Sequence, residues 1–411
     1  MPEAPFPCLD AISFRQLRLF ESVGRLNSVR RGSEECNLSQ PAVTQALAKL
    51  EQMIGIELFE RRTSGSYLTP PGVILHRRVI RMFRQLVDAL LDLDVTGGQV
   101  GAEAVVHRLT RSQVRSLVAI IEHGTFAAAS RSLHITEASL QRAARDLEAN
   151  LRKSIFYRSA EGVMVTPAGI ACGRRMGLAL QEITWAMDEI DLARDIGESR
   201  IVIGALPFGG SVLLATVLDE FLAMQSKVDV RIANENASEM MQHLREGKVD
   251  IVVGLTQETV GDDLVSQTLA ETPYEVVGRR GHPLAQRGAV SRTDLIDFDW
   301  VVGTHGSNRR KCFDGLFAGN AKPRTPIATS ALPLIRHLLA GSDRLTLMTS
   351  YELQHESMLM RVPIDVDLPC PTIGITTRAD WLPTALHRDF INLVKSRVTT
   401  RSIMSPTRYA S

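Results

Sequence analysis

Residues 38–62 read LSQPAVTQALAKLEQMIGIELFERR, and residues 135–159 read ITEASLQRAARDLEANLRKSIFYRS. This near-repetition limits the fold more than anything else in the chain. With Ser39 set against Thr136, 97 residues on, the two segments run without a gap from Phe14 to Gly72. Identical pairs include Gln16/Gln113, Arg18/Arg115, Ser33/Ser130, Leu50/Leu147, Glu51/Glu148, Phe59/Phe156 and Arg61/Arg158. They end in Gly65/Gly162, Thr69/Thr166, Pro70/Pro167 and Gly72/Gly169. Self-similarity at a fixed offset marks a structural unit used twice, here one of about sixty residues followed each time by a helical stretch.

Each copy parses the same way. In the first, Leu17, Phe20 and Val23 have the spacing of a helix's inner face. A short second helix is expected from about Ser28 to Cys36. Ser39 then caps a third helix, its hydroxyl free to accept a first-turn amide, with Pro41 placed where no donor is needed. Val43, Ala46, Leu47 and Leu50 form the inner stripe and turn Thr44, Gln45 and Lys49 outward. LFERR and TSGSYLT read as a two-strand wing turning at Gly65. Thr69-Pro70 then starts a long helix reaching Leu93. This is the winged helix-turn-helix layout: the third helix fits a major groove, and a wing carrying Arg61 and Arg62 meets phosphates. Periodicity alone leaves it even with a blander reading, a small helical domain with a solvated polar face.

The residues decide by resemblance. The stretch from Leu17 to Gly72, with its SQPA…LE…G..LFER…LTP.G pattern, resembles the N-terminal DNA-binding domain of LysR-type transcriptional regulators almost position by position. That resemblance implies that Gln40, Pro41, Thr44 and Gln45 face bases, while Ser39, Lys49, Arg61, Arg62 and Ser66 face phosphates. Two departures stand out. Gln45 occupies a place where the family often has Arg or Lys, which favours adenine over guanine. Arg30-Arg31-Gly32 replaces a small, alanine-rich packing surface, and Gly32 costs about 1 kcal/mol relative to alanine inside a helix. The first copy is therefore expected to be locally less rigid.

The second copy departs differently. Its TFAAASRSLHI segment is closer to the family pattern, and Thr136 can cap the third helix. Glu137 suits a helix N-terminus but replaces a glutamine expected at a base, and its carboxylate is repelled by phosphates. Gln141, Arg142 and Arg145 nevertheless face outward, followed by Arg152, Lys153 and Arg158. DNA contact through Thr136, Gln141, Arg142, Arg145 and Arg158 is one reading; dimerisation, spacing or a degenerate remnant are the others.

Gly72–Leu93 and Gly169–Ala193 read as long amphipathic helices. The resemblance implies pairing with a second subunit's helix, and packing inside the same chain is the alternative. TGGQVGAEA (Thr96 to Ala104) reads as a flexible linker. The net charge is only +1, yet Ala11–Leu91 carries twelve Lys/Arg against seven Asp/Glu, and His107–Leu180 eleven against five. A basic front and an acidic back suggest a phosphate-facing module joined to something else. Five scattered cysteines, without zinc spacing, read as reduced thiols, with a Cys312/Cys370 redox pair as the alternative. MPEAPFPCLDAISF lacks the features of a secretory leader, and no apolar run nears the roughly 18 residues of a membrane span. A cytoplasmic location is expected.

From Ser199 strands alternate with helices: RIVIGAL, DVRIAN and VDIVVGL, then WVVGTHGS, DRLTLMTS and TIGITTR. Such units specify a mostly parallel sheet. REGKVDIVVGL, GRRGHPLA, TDLIDFDWVVGTHGS and LLAGSDRLTLMTS resemble the effector-binding domain of the same family, which shares the two-lobed fold of periplasmic solute-binding proteins. The expected fold class is thus multidomain. Two winged helix-turn-helix domains with linker helices (12–94 and 107–195) precede an α/β two-lobed effector domain (199–400). Its lobe I would take about 199–272 and 373–400, and lobe II about 278–367. Ligands in such folds sit at strand C-terminal ends, which points to Pro207, Phe208, Gly209, Ser211, Thr304, His305, Gly306, Ser307, Thr329 and Ser330. Hydroxyls and helix N-terminal amides there favour a small organic anion, although each serine or threonine could equally be an ordinary helix cap.

No acid/base pair, nucleophile motif or phosphate-binding glycine loop marks an enzyme, and no cofactor or metal is implied. The leading expectation is a sequence-specific transcriptional regulator binding double-stranded DNA and a small effector, as a homodimer or homotetramer, with RNA polymerase a partner if it activates. One alternative is a cytoplasmic two-lobed solute-binding protein whose repeats serve oligomerisation only. Another is a DNA-binding protein whose sensor no longer binds ligand.

Overall fold

The computed structural model describes residues 11–404 except 161, 195, 198, 207–209, 257–259 and 355. It divides into two units, Met1–Ser199 and Arg200–Ser411. In the first, α1 (Phe14–Leu26), α2 (Val29–Glu35) and α3 (Gln40–Ile54) precede the hairpin β1 (Phe59–Arg62) and β2 (Gly65–Leu68), then the long α4 (Pro70–Asp92). After α5 (Gly98–Arg108) the same order recurs as α6 (Arg111–His123), α7 (Phe126–Ser132), α8 (Glu137–Leu151), β3 (Phe156–Ser159), β4 (Gly162–Val165) and α9 (Pro167–Ala193).

Local chemistry sets the helix starts. Ser13 with Gln16, and Thr110 with Gln113, form capping boxes at α1 and α6, which accounts for the shared glutamine. The Ser39 and Thr136 hydroxyls accept amides of Ala42 and Ser139 at α3 and α8. Thr69 and Thr166 do the same for Gly72 and Gly169 at α4 and α9. Gly32 faces α1 across a space too small for a side chain. A Cβ there would sit 2.6 Å from the Val23 Cγ2, so the glycine lets α2 lie flush on α1.

Two expectations change. The flexible linker is largely helical: α5 begins at Gly98 and buries Ala102, Val105 and Val106. Burial of that apolar face against the first unit's core outweighs the glycines' low helix propensity. The long helices α4 and α9 pack on each other within one chain, the alternative to pairing with a second subunit's helix. Leu75, Val79, Leu86 and Leu90 of α4 share one core with Met176, Ile183, Met187 and Ile190 of α9.

A buried ionic cluster crosses this seam. Arg78, fully buried, pairs with Glu182 at 2.8 Å and with Glu189 at 3.1 Å. Arg81 reaches Glu182 at 3.0 Å and Arg77 reaches Glu189 at 3.0 Å. The Gln85 side-chain amide donates to Glu182 at 3.2 Å, and the Arg78 guanidinium lies 5.6 Å over the Trp185 ring. At the other end of the seam Arg175 pairs with Asp92 at 2.8 Å.

The second unit opens with β5 (Ser199–Ala205), α10 (Gly210–Met224), β6 (Val228–Ala233), α11 (Ala237–Arg245), β7 (Ile251–Leu255) and β8 (Leu264–Glu271). Next come β9 (Tyr274–Arg279), α12 (Arg292–Ile296), β10 (Val301–Val302), α13 (Asn308–Leu316), β11 (Ile327–Ala328) and α14 (Leu332–Ala340). It closes with β12 (Thr346–Thr349), α15 (Ser350–Leu353), β13 (Leu359–Arg361), β14 (Thr372–Arg378) and α16 (Ala385–Met404). One sheet has the order β6-β5-β7-β14-β8 and another β12-β9-β13. β5 and β7 are parallel, but β14 runs antiparallel to both its neighbours, so the first sheet is mixed rather than mostly parallel. Trp300, Phe313 and Phe317 centre the core beside the second sheet. No helix among the described residues is long and apolar enough to cross a membrane.

Burial pushes the Cys172 and Cys312 thiols up to about 12. Such thiols hold almost no thiolate at neutral pH, which disfavours the Cys312/Cys370 redox reading.

Candidate nucleic-acid interface and effector site

In α3 and α8 the apolar stripe is buried and the polar stripe is open. Val43, Leu47 and Leu50 are buried in α3, as are Leu140, Ala144 and Leu147 in α8. Gln40, Pro41, Gln45 and Lys49 are exposed and Thr44 half-buried on the first helix; Glu137, Gln141, Arg142 and Arg145 are exposed on the second. The Gln141 amide donates to the Glu137 carboxylate at 3.4 Å, occupying part of the charge that would face phosphates. Ser39 and Thr136 are exposed while capping their helices.

Each wing is anchored by one carboxylate. Glu51 Oε1 accepts the amides of Leu58 (2.8 Å) and Phe59 (3.1 Å), and Glu148 Oε1 those of Ile155 (2.8 Å) and Phe156 (3.0 Å). These glutamates are identical in the two copies, and that identity was the signal; the role needs the folded turn that brings residue i+7 back to the helix end. Glu51→Ala leaves two amides unpaired, Leu58's beside a fully buried side chain, and should lower stability by about 2–4 kcal/mol in a urea titration, with Glu51→Gln losing less.

The wings differ in how they are held. The Ser66 amide donates to the Asn27 carbonyl at 3.1 Å, and a Cβ on Gly65 (φ +149°) would lie 2.5 Å from that oxygen. The equivalent Gly162 has nothing within 4 Å of such a Cβ. Arg62 is exposed, pairs with Glu60 at 2.8 Å and stacks 5.5 Å over Tyr67. Arg158 is exposed on β3 opposite Val163. The Arg61 side chain lies outside the described part; its backbone pairs with Ser66.

Of the expected effector residues, Pro207, Phe208 and Gly209 lie outside the described residues, as does the side chain of Ser211, placed in α10. The others gather at the C-terminal ends of the parallel pair β10–β11. Thr304 and Ser330 hydroxyls hydrogen-bond at 2.9 Å, and the Thr329 amide donates to the Val302 carbonyl. His305 and Gly306 are exposed in the turn before α13. Ser307 is the cap of α13, its hydroxyl accepting the Arg310 amide and donating to the Thr304 carbonyl. The Thr329 hydroxyl accepts from the Ala331 amide. Two of these hydroxyls are thus engaged in capping and turn formation.

The family of bacterial regulatory helix-turn-helix proteins of lysR type matches residues 14–73 and, separately, 112–170. The LysR substrate binding domain family matches residues 196–399. The HTH-type transcriptional regulator GalR of Pseudomonas putida is 29% identical over 396 residues, spanning 94% of this chain and 98% of that protein. An alignment of that length takes in both helix-turn-helix segments. The HTH-type transcriptional regulator GbpR of Rhizobium radiobacter is 26% identical over 239 residues, 56% of this chain and 78% of its own. Among solved structures, a full-length OxyR variant from Pseudomonas aeruginosa gives a TM-score of 0.51 at 19% identity, over 71% of this chain and 94% of that one, a likeness of fold.

Proposed function

The chain belongs to the LysR family of bacterial helix-turn-helix regulators, and from that premise we propose that its two winged modules arose by tandem duplication and both meet DNA. The protein is an effector-responsive, DNA-binding transcriptional regulator, and its relatives are regulators rather than enzymes. In this reading α3 reads bases through Gln40, Pro41, Thr44 and Gln45, and α8 through Gln141 and Arg142. Ser39, Lys49, Arg61, Arg62, Ser66, Thr136, Arg145 and Arg158 face the backbone. The observation that carries it is the same for both helices: a buried apolar stripe with a polar face left open to solvent. Nothing else among the described residues of the unit covers those faces, and outward amide and guanidinium groups suit base edges.

The second unit would take a small organic anion beside Thr304 and Ser330, near the N-terminus of α13. Ligand preference for one arrangement of the unit would shift its population. The protein would act in the cytoplasm, as a homodimer or homotetramer, with RNA polymerase as a partner if it activates.

Salt dependence of binding to its own upstream duplex tests the DNA reading. Neutralising about six phosphates predicts a fall on the order of 10³-fold between 50 and 200 mM salt. A flat response would return the repeats to an oligomerisation role. For the effector, a panel of small carboxylic acids should raise the melting temperature of the second unit's transition, because binding to the native state stabilises it.

A further inference from the structure

We propose that one chain supplies both halves of a single DNA reader. α4 and α9 pair around a local twofold axis inside the polypeptide, and α3 and α8 then address two dissimilar halves of one non-palindromic site. The proposal rests on the reading that both modules meet DNA.

The twofold relation is written in the contacts. Residues 97 apart are equivalent, so Gln85 corresponds to Glu182, and these two hydrogen-bond each other at 3.2 Å. A residue that touches its own counterpart lies at the axis of an isologous contact. Moving away from that point, Arg78 meets Glu189 at 3.1 Å, and their counterparts Arg175 and Asp92 meet at 2.8 Å. Each pair joins the N-terminal half of one helix to the C-terminal end of the other, so the helices are antiparallel and the contact is reciprocal. The apolar seam obeys the same rule: Leu75 and Cys172, Leu86 and Ile183, and Leu90 and Met187 are equivalent, and all are buried. A surface that two chains would need for such a contact is already covered within one.

The connection between the copies supports an intrachain arrangement. α5 packs on the core formed by α4, the Arg18 guanidinium donates to the Val106 carbonyl at 2.9 Å, and the Lys153 ammonium donates to the carbonyls of Leu93 and Asp94. The spacing of the modules is therefore built into the fold.

The two reading faces carry different chemistry at equivalent places. Gln40 corresponds to Glu137, Thr44 to Gln141, Gln45 to Arg142, and Lys49 to Asp146. Glutamine suits adenine and arginine suits guanine. A pseudo-symmetric scaffold with unlike readers selects half-sites in inverted orientation whose sequences differ. Any assembly of whole chains must then use surfaces other than the α4–α9 seam.

The test is enrichment from a random duplex pool with two full-length proteins, wild type and a graft that gives α8 five of the outward residues of α3 (Glu137→Gln/Gln141→Thr/Arg142→Gln/Arg145→Ala/Asp146→Lys). All five positions are exposed. Wild type should enrich two dissimilar halves at fixed spacing. The graft should enrich an inverted repeat at that spacing and bind the wild-type site on the order of tenfold or more weakly. An inverted repeat already selected by wild type, or a graft that leaves the motif unchanged, overturns the proposal while DNA binding stands. No enrichment at all removes the DNA reading itself. Independently of whether the graft folds, Asp92→Cys/Arg175→Cys, in a chain with Cys8, Cys36 and Cys370 replaced by serine, is treated with a short bismaleimide. A monomer carrying one linker, with a crosslinked peptide joining positions 92 and 175 in the digest, is expected; a covalent dimer, or a monomer whose two thiols each carry a separate reagent, refutes intrachain pairing.

Discussion

Glu182→Ala is expected to destabilise the first unit by about 3–5 kcal/mol, because it strips Arg78 of a partner in a place water does not reach. Arg78 is fully buried, and Glu182 accepts from Arg78, Arg81 and Gln85 at once. Glu189 would remain beside Arg78, which keeps the loss within that range. Urea denaturation followed by tryptophan fluorescence reads the seam directly, since Trp185 lies under the Arg78 guanidinium. The double variant Arg78→Met/Glu182→Leu should recover most of the loss. It replaces two desolvated charges with apolar volume, an exchange that is often neutral or stabilising. Arg81 is only partly buried and can turn to water, and Glu189 keeps Arg77. A double variant no better than Glu182→Ala would mean that the cluster's geometry, rather than its desolvation, holds the seam.

The second large effect is on DNA. Replacing both Gln40 and Gln45 with alanine should weaken specific binding on the order of 10²–10⁴-fold, since each good base contact contributes about 1–3 kcal/mol. Binding to unrelated duplex should change little, because phosphate contacts carry most of that affinity. Footprints of the upstream region with Gln40→Ala/Gln45→Ala and with Arg142→Ala/Arg145→Ala separate the modules. Shortening of the protected stretch by the second pair assigns α8 to the DNA. An unchanged footprint with that pair would leave the second copy as a spacer, and would also remove the basis for a two-half reader. All four residues are exposed on helices whose inner faces are intact, so neither variant is expected to alter folding.

The local grammar of this chain was legible. Ser39, Thr136, Thr69 and Thr166 cap the helices the spacing predicts, and the expected wing forms, although it turns at Thr63-Ser64 and Gly65 opens its second strand, paired with Arg62. These depend on contacts within a few residues, which a sequence displays directly. The reading of α3 and α8 as open polar faces over apolar stripes rests on the same periodicity. Less legible was anything set by distant neighbours. TGGQVGAEA has a linker's composition, yet its continuation Val105-Val106 finds a core to bury against and the segment becomes α5. Gly32 looks like a weak point until Val23 is seen to fill the space a side chain would need. Ser307 looks like a ligand hydroxyl, and its first task proves to be capping α13.

By itself the sequence determined that two segments 97 residues apart match each other, which residues line each inner face, and which outward groups could meet DNA. Offset, periodicity and capping are one-dimensional, so they need no partner to be read. Only the tertiary structure decided that α4 and α9 are each other's partner. Amphipathic faces carry no address: the same apolar stripe would be buried equally well by a second chain. What fixes the register of the seam is three-dimensional complementarity: Arg78 lies buried between Glu182 and Glu189, where charges tolerate only an arrangement that pairs them, while the half-exposed Arg175–Asp92 pair adds little.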